Sequence, residues 1–116
     1  MSTHSQKYAA PQHTLRAYGV ACDLVRAVAN AKISDAKLRD QAMRAVQSTA
    51  LNCAEGAGRL TRPDKTRAFA IARGECVEAC AAVEIAVLSG VASPASYDAV
   101  VRIANVLYAM LTRLIR

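Results

Sequence analysis

The feature that most constrains this chain is the spacing of its apolar residues, which recur every three or four positions in four successive segments. That period places the apolar side chains of each segment along one face of an α-helix. Alanine, the strongest helix former, supplies 25 of the 116 residues, whereas glycine and proline together supply eight. The pattern predicts an all-α fold and excludes collagen-like, low-complexity and turn-rich all-β architectures.

The breaks between these segments divide the chain into a short lead-in and one helical domain. Residues 1–12 are polar and predict a flexible N-terminal lead-in, so that the domain covers residues 13–116. Ser34 or Asp35 is expected to cap the second helix, Thr61 the third and Ser93 the fourth. We predict helices at about residues 13–31, 35–57, 62–89 and 94–115.

Three glycines fall where helices end or come close together. Gly58 is expected to stop the second helix in the left-handed conformation, and Gly90 is expected to stop the third. Gly56 lies inside the last turn of the second helix, where glycine costs about 1 kcal/mol relative to alanine. We expect the close approach of a neighbouring backbone to offset that cost.

Four helices joined by short connections predict antiparallel neighbours, and hence an up-down-up-down antiparallel four-helix bundle. The third and fourth helices carry apolar residues on more than one face. Because a single bundle has only one interior, this surplus predicts self-association through those two helices. The alternative is a monomeric bundle with some exposed alanine, which is common.

The net charge of +6 is distributed unevenly. Residues 59–73 carry five basic side chains and one acidic side chain, whereas residues 74–101 carry four acidic side chains and no basic one. The basic residues precede or open the third helix, where free N–H groups and the helix dipole also favour anions. We predict that they bind the phosphate backbone of RNA or DNA. The residues assigned to this binding, named the basic turn, are Arg59, Arg62, Lys65 and Arg67.

Other interpretations of the basic turn stay open. It could pair with the acidic half of a neighbouring subunit, or it could serve solubility alone. No aromatic residue is interleaved with the cations, so stacking on bases is not expected and recognition would have little sequence specificity. The alternative function is a protein-binding scaffold in which the basic turn is purely structural.

We find no catalytic or metal-binding motif, and we therefore predict a protein that is not an enzyme and has neither cofactor nor metal. The chain lacks a phosphate-binding loop and the H-E-x-x-H and G-x-S-x-G motifs. Cys22, Cys53, Cys76 and Cys80 form no C-x-x-C pair, so we expect reduced core residues rather than zinc ligands. The sequence shows neither a signal peptide nor a stretch that could span a membrane, which predicts a cytoplasmic protein.

The segments on both sides of the basic turn carry a family resemblance. The second helix contains N-x-A-E-G-x-G-R at residues 52–59, and I-A-R-G follows at residues 71–74. This pattern resembles the four-helix-bundle proteins encoded in bacterial 23S ribosomal RNA intervening sequences. The accessory variability protein of diversity-generating retroelements is of the same superfamily. The chain differs from the family pattern, which has proline in place of Ala50, serine in place of Glu75 and often aromatic residues where Lys65 and Ala68 stand.

The resemblance implies a bundle that assembles as a ring-like homopentamer and catalyses no reaction. The retroelement relative binds nucleic acid and a reverse transcriptase through a basic surface. The resemblance therefore implies RNA, DNA or such a protein as the partner of this chain.

The motif residues themselves predict a hydrogen-bonded network that joins the second and third helices. An arginine that is buried without a partner is costly, so arginine and glutamate are expected to lie together. Gly56 and Gly74 would let the backbones of the second and third helices approach each other. Besides Arg59, the network is assigned to Asn52, Glu55, Gly56, Arg73, Gly74 and Glu78.

Overall fold

The computed structural model describes residues 10–116, which form a bundle of four helices with no strand among them. A short 3-10 turn, Pro11–Thr14, precedes the bundle. The helices are α1, Arg16–Asn30; α2, Ala36–Gly58; α3, Arg62–Leu88; and α4, Pro94–Ile115. The all-α four-helix prediction is confirmed.

The start of the chain differs from the prediction. The first helix begins at Arg16 rather than near residue 13, because Leu15 is extended, with φ −101° and ψ 118°, and separates α1 from the 3-10 turn. Pro11 and Gln12, placed in the predicted lead-in, belong to that turn. The remainder of the predicted lead-in, residues 1–9, lies outside the described residues.

The predicted N-terminal caps are confirmed. The side chains of Asp35, Thr61 and Ser93 each accept a hydrogen bond from the backbone N–H three residues further on, at 2.9, 3.3 and 3.2 Å. Each bond satisfies one of the N–H groups that the first turn of a helix leaves without a partner. These caps determine where α2, α3 and α4 begin.

Of the two glycines expected to stop helices, only Gly90 does so. Gly90 has φ +80°, and the N–H of Val91 reaches back to the carbonyl of Ala86 at 2.9 Å, as in a Schellman motif. The prediction for Gly58 is wrong, because that residue is the last of α2 and has no positive φ. Instead α2 ends where Arg59 becomes extended, with φ −75° and ψ 149°, and the chain turns directly into the cap of α3.

Each helix packs against two neighbours: α1 against α2 and α4, and α3 against α2 and α4. The α1–α2 side of the bundle therefore lies opposite the α3–α4 side. Helices α3 and α4 are antiparallel, since Arg73 bonds to Thr112 whereas the later Cys76 bonds to the earlier Ala104. This arrangement is compatible with the predicted up-down order.

Small side chains dominate the core, so the helices pack closely and each residue buries little area. Gly56 illustrates the consequence. A Cβ atom at Gly56 would lie 2.6 Å from Cδ1 and 2.8 Å from Cζ of Phe69, so the glycine makes room for an aromatic ring of α3 and not for a backbone. The largest side chains that are fully buried are Leu24, Leu107, Leu111, Val46, Val83 and Val100.

Candidate nucleic-acid interface

The basic turn lies at the end of the bundle where α2 finishes and α3 begins. Arg59, Arg62 and Arg67 are exposed, whereas Lys65 is half-buried. Three of the four predicted binding residues therefore face solvent in the isolated chain. Their guanidinium groups are suited to bidentate contacts with phosphate oxygens.

Lys65 has a structural partner that the sequence analysis did not foresee. Its Nζ donates hydrogen bonds to the carbonyl oxygens of Gly56 and Ala57, at 3.1 and 3.2 Å. These carbonyls belong to the last turn of α2, where the partial negative charge of the helix favours a cation. Lys65 therefore links the start of α3 to the end of α2 through two hydrogen bonds. An ammonium group has three N–H donors, so one remains for another ligand.

Arg59 also has a partner inside the turn. Its Nη2 lies 2.6 Å from Oε2 of Glu55, one helical turn earlier, and both side chains are about half exposed. A solvated ion pair of this kind contributes little to stability, and salt screens it. A phosphate can therefore compete with Glu55 for this guanidinium at low cost.

Of the predicted network, the ion pair of Glu55 with Arg59 is present, but it lies at the end of α2 and does not join α2 to α3. Arg73 turns to α4, where its Nε donates to Oγ1 of Thr112 at 2.9 Å and its Nη2 donates to the hydroxyl of Tyr108. Asn52 bonds within α2, from Nδ2 to the carbonyl of Ser48 at 2.9 Å.

Gly74 and Glu78, also assigned to the network, lie on the exposed side of α3. No atom outside the helix backbone and its immediate neighbours comes within 4 Å of a Cβ placed at Gly74. The cause is helical register. Residues four apart share a face, and both residues on this face of α3 are exposed to solvent.

The structure adds two cations to this end of the bundle that the sequence analysis missed. Arg16, at the start of α1, and Arg113, near the end of α4, line one shallow cleft whose lining contains no carboxylate. The antiparallel register of α3 and α4 places Arg67 level with the end of α4. The sequence places Arg113 in the last turn of the fourth helix. Only the packing of the helices shows that this turn lies at the same end of the bundle as the basic turn. We name these six residues the basic end: Arg16, Arg59, Arg62, Lys65, Arg67 and Arg113.

Most of the basic end has no acidic partner. In residues 10–116 the ion pairs are Arg59 with Glu55 and Arg26 with Asp23. Arg16, Arg62 and Arg113 are exposed and make no salt bridge within the described part of the chain. Exposed cations without internal partners produce the positive potential that attracts a polyanion.

The cysteines are free, and two of them are core residues. Burial raises the pKa of Cys53 to about 12 and that of Cys76 to about 11, so both stay as thiols at neutral pH. Over the described range, no group of three or more His, Cys, Asp or Glu side chains is placed to hold a metal ion. None of the helices in that range is both long and apolar enough to cross a membrane.

These features define a small, basic, all-helical protein with six cations at one end of a four-helix bundle. The chain belongs to the 23S rRNA-intervening sequence protein family, whose model matches residues 13–113. The match includes the basic turn, the first three helices and all but the last two residues of α4, and it confirms the resemblance seen in the motif residues. A search of the curated proteins found no match to the chain.

Proposed function

We propose that this chain is a non-enzymatic, self-associating accessory protein that binds the backbone of RNA or DNA through its basic end. The observation that carries the proposal is the exposure of Arg62 and Arg67 without a carboxylate partner, beside Arg16 and Arg113 on the same end of the bundle. Each such cation can neutralise one phosphate and release its counterion, which favours binding at low salt.

The mode of binding follows from the kinds of side chain present. Arginine guanidinium groups contact phosphate oxygens, and such contacts position a protein on nucleic acid without reading its sequence. Phe69, the aromatic residue nearest to the basic turn in the sequence, is buried in the core and cannot stack on bases. We therefore propose shape and backbone recognition with little sequence preference.

Self-association would present several basic ends together. The family resemblance implies a ring-like homopentamer, and exposed apolar side chains on α3 and α4 support an assembly of copies. Because linked sites raise the effective concentration of one another, a ring would bind a long polyanion more tightly than one chain does. The cytoplasm, where thiols stay reduced, suits the four free cysteines, and we propose it as the compartment.

A second candidate function is a protein-binding scaffold, for a reverse transcriptase or another partner. It is favoured by the engagement of Lys65 with the last turn of α2, which gives this residue of the basic turn a structural role. In this alternative the turn stabilises the bundle, and a different surface binds the partner.

The test compares two charge-reversed proteins of equal net charge. One carries Arg62→Glu and Arg67→Glu in the basic turn, and the control carries Lys37→Glu and Arg102→Glu at exposed positions outside the basic end. Lys65 is left intact because its loss would disturb the end of α2. Binding to a structured RNA and to duplex DNA is measured at low salt for both variants and the wild type.

We expect the first variant to bind about tenfold or more weakly than the control, since two phosphate contacts become repulsive. Equal affinity of the two variants, or no binding by the wild type, would contradict the proposal. The scaffold alternative predicts a protein partner that stays bound to the immobilised chain after nuclease treatment.

A further inference from the structure

We infer that the cleft between the start of α1 and the end of α4 holds one unpaired base of a nucleic-acid strand, with the adjoining phosphates on Arg16 and Arg113. This inference rests on the proposed function and deepens it, because it names the state of the nucleic acid that the basic end selects. We name this site the terminal cleft, and the residues of its lining that carry the argument are Leu15, Arg16, Val106, Met110, Arg113 and Leu114.

The floor of the terminal cleft is apolar. Val106, Met110 and Leu114 lie four residues apart on α4 and form one stripe along the side of the helix that borders α1. Met110 and Leu114, together with Leu15 from the other wall, are partly buried and pack against the hydrophobic core. Val106 is 52% exposed. Because the core anchors these side chains, the apolar surface is present before a ligand binds, and covering it favours binding.

The rim of the terminal cleft is cationic. Arg16 and Arg113 are exposed, and neither makes a salt bridge within residues 10–116. The described lining of the cleft includes no carboxylate that could occupy them. In addition Leu15, at the N-cap of α1, has no side-chain acceptor for the first N–H groups of the helix, whereas the other three helices have one. The rim therefore favours anions.

An apolar floor with a cationic rim matches the chemistry of a nucleotide whose base is free. The base is a flat aromatic ring, and the backbone that carries it has a phosphate on each side. The thioether of Met110 packs favourably on an aromatic ring, and the guanidinium groups of the rim can stack on a base as well as bind phosphate. The terminal cleft encloses about 490 Å³, which lies within the usual range of small-molecule sites, about 300–1,000 Å³.

This geometry selects the state of the strand and not its sequence. In a duplex each base is paired and stacked, so the terminal cleft can reach a base only in a single strand, a loop or an end. The hydroxyl of Thr14, which also lines the cleft, already donates to the carbonyl of Pro11 at 2.9 Å. The other polar side chains of the lining, Arg16 and Arg113, are donors only, so the four bases are poorly distinguished.

The experiment makes the floor polar without changing the charge of the protein. The cleft variant carries Val106→Thr with Met110→Gln, which keeps side chains of similar size at positions that are not fully buried. The control carries Val77→Thr with Ile85→Gln, the same kind of change at exposed positions of α3 outside the cleft. Circular dichroism checks that both variants remain helical.

Fluorescence anisotropy at low salt measures the affinity of each protein for three ligands of equal length: a homothymidine strand, the same strand without its bases, and duplex DNA. We expect the wild type and the control to bind the homothymidine strand at least about fivefold more tightly than the abasic strand, the lower end of the effect of a stacked base. The cleft variant should lose this difference, and it should bind the abasic strand and the duplex as the wild type does.

Equal affinity of the wild type for the two strands would overturn the inference, and so would a cleft variant that keeps the difference. Weaker binding of the abasic strand or the duplex by the cleft variant would also overturn it, because the floor would then act only through the placement of the cations. These results would leave the proposed function in place. A wild type that binds none of the three ligands would instead contradict the proposed function, and this inference with it.

Discussion

Arg73 of α3 lies over the aromatic ring of Tyr108 of α4, with its guanidinium carbon 4.3 Å from the ring centroid. The same guanidinium donates hydrogen bonds to the hydroxyls of Tyr108 and Thr112. An arginine with no carboxylate partner is thus accommodated by a π face and two hydroxyl groups. The pair joins α3 to α4 beside the cleft that Tyr108 lines.

We expect Arg73→Lys to lower the free energy of unfolding by about 1 kcal/mol, because lysine keeps the charge but loses the planar stacking and the forked donors. Tyr108→Phe should cost less, since the ring remains and only the hydroxyl is lost. Chemical denaturation of both single variants and the double variant measures the coupling between them. A coupling energy of zero would show that the contact does not stabilise the bundle.

Gly56 and Gly74 provide a matched pair of substitutions in helices. Gly56→Ala should destabilise the protein by roughly 1 to 3 kcal/mol, because the new Cβ overlaps the ring of Phe69. Gly74→Ala should stabilise it by up to about 1 kcal/mol, because that position is exposed and open and alanine is the better helix former. The unfolding temperatures of the two variants should therefore shift in opposite directions, and a shift in the same direction would contradict the packing of Phe69 against Gly56.

The two hydrogen bonds of Lys65 predict a role in stability that its neighbour Arg67 lacks. Lys65→Met keeps the aliphatic stem but removes the ammonium group, and we expect a loss of about 1 kcal/mol in the free energy of unfolding. Arg67→Gln, at an exposed position, should change it by less than about 0.5 kcal/mol. Equal effects of the two substitutions would mean that the end of α2 does not depend on Lys65.

The buried thiols predict a loss of stability at alkaline pH. Burial raises the pKa of Cys53 to about 12 and that of Cys76 to about 11, whereas an unfolded thiol has its ordinary value of 9.0. The unfolded chain therefore releases these protons first. Well below pH 9 the two thiols should leave stability unchanged, and as the pH rises from 9 toward 11 each should lower it progressively, by on the order of 1 kcal/mol per pH unit.

Denaturant unfolding of wild type and Cys53→Ala from pH 7 to 10.5 measures this contribution. The variant should lose less stability than the wild type across the alkaline range, because one of the two titrating thiols is gone. Parallel pH profiles would contradict the account of Cys53 as a buried thiol.

The sequence predicted those features of the fold that depend on local signals. The number of helices, the side-chain caps at Asp35, Thr61 and Ser93 and the stop at Gly90 each follow from residues within one turn of each other. Local signals failed at Gly58, where a three-residue connection requires an extended exit from α2 rather than a left-handed one.

The candidate site was only partly predictable, because it depends on which helix faces point at each other. Arg73 was expected to reach back to α2, but its register directs it to Tyr108 on α4. Arg16 and Arg113 stand 97 positions apart in the chain and meet only through the packing of α1 against α4. The hydrogen bond from Lys65 to the carbonyl of Gly56 likewise depends on the tight turn between α2 and α3.

The most direct test of the central claim is the salt dependence of nucleic-acid affinity for the wild type and for an Arg62→Gln, Arg67→Gln variant. If the basic end binds phosphates, the logarithm of the wild-type affinity for duplex DNA should fall linearly with the logarithm of salt concentration. The slope should be shallower in the variant by about one for each cation removed per bound chain. Identical slopes for the two proteins, or a wild-type affinity that does not change with salt, would contradict the claim that these arginines bind the nucleic-acid backbone.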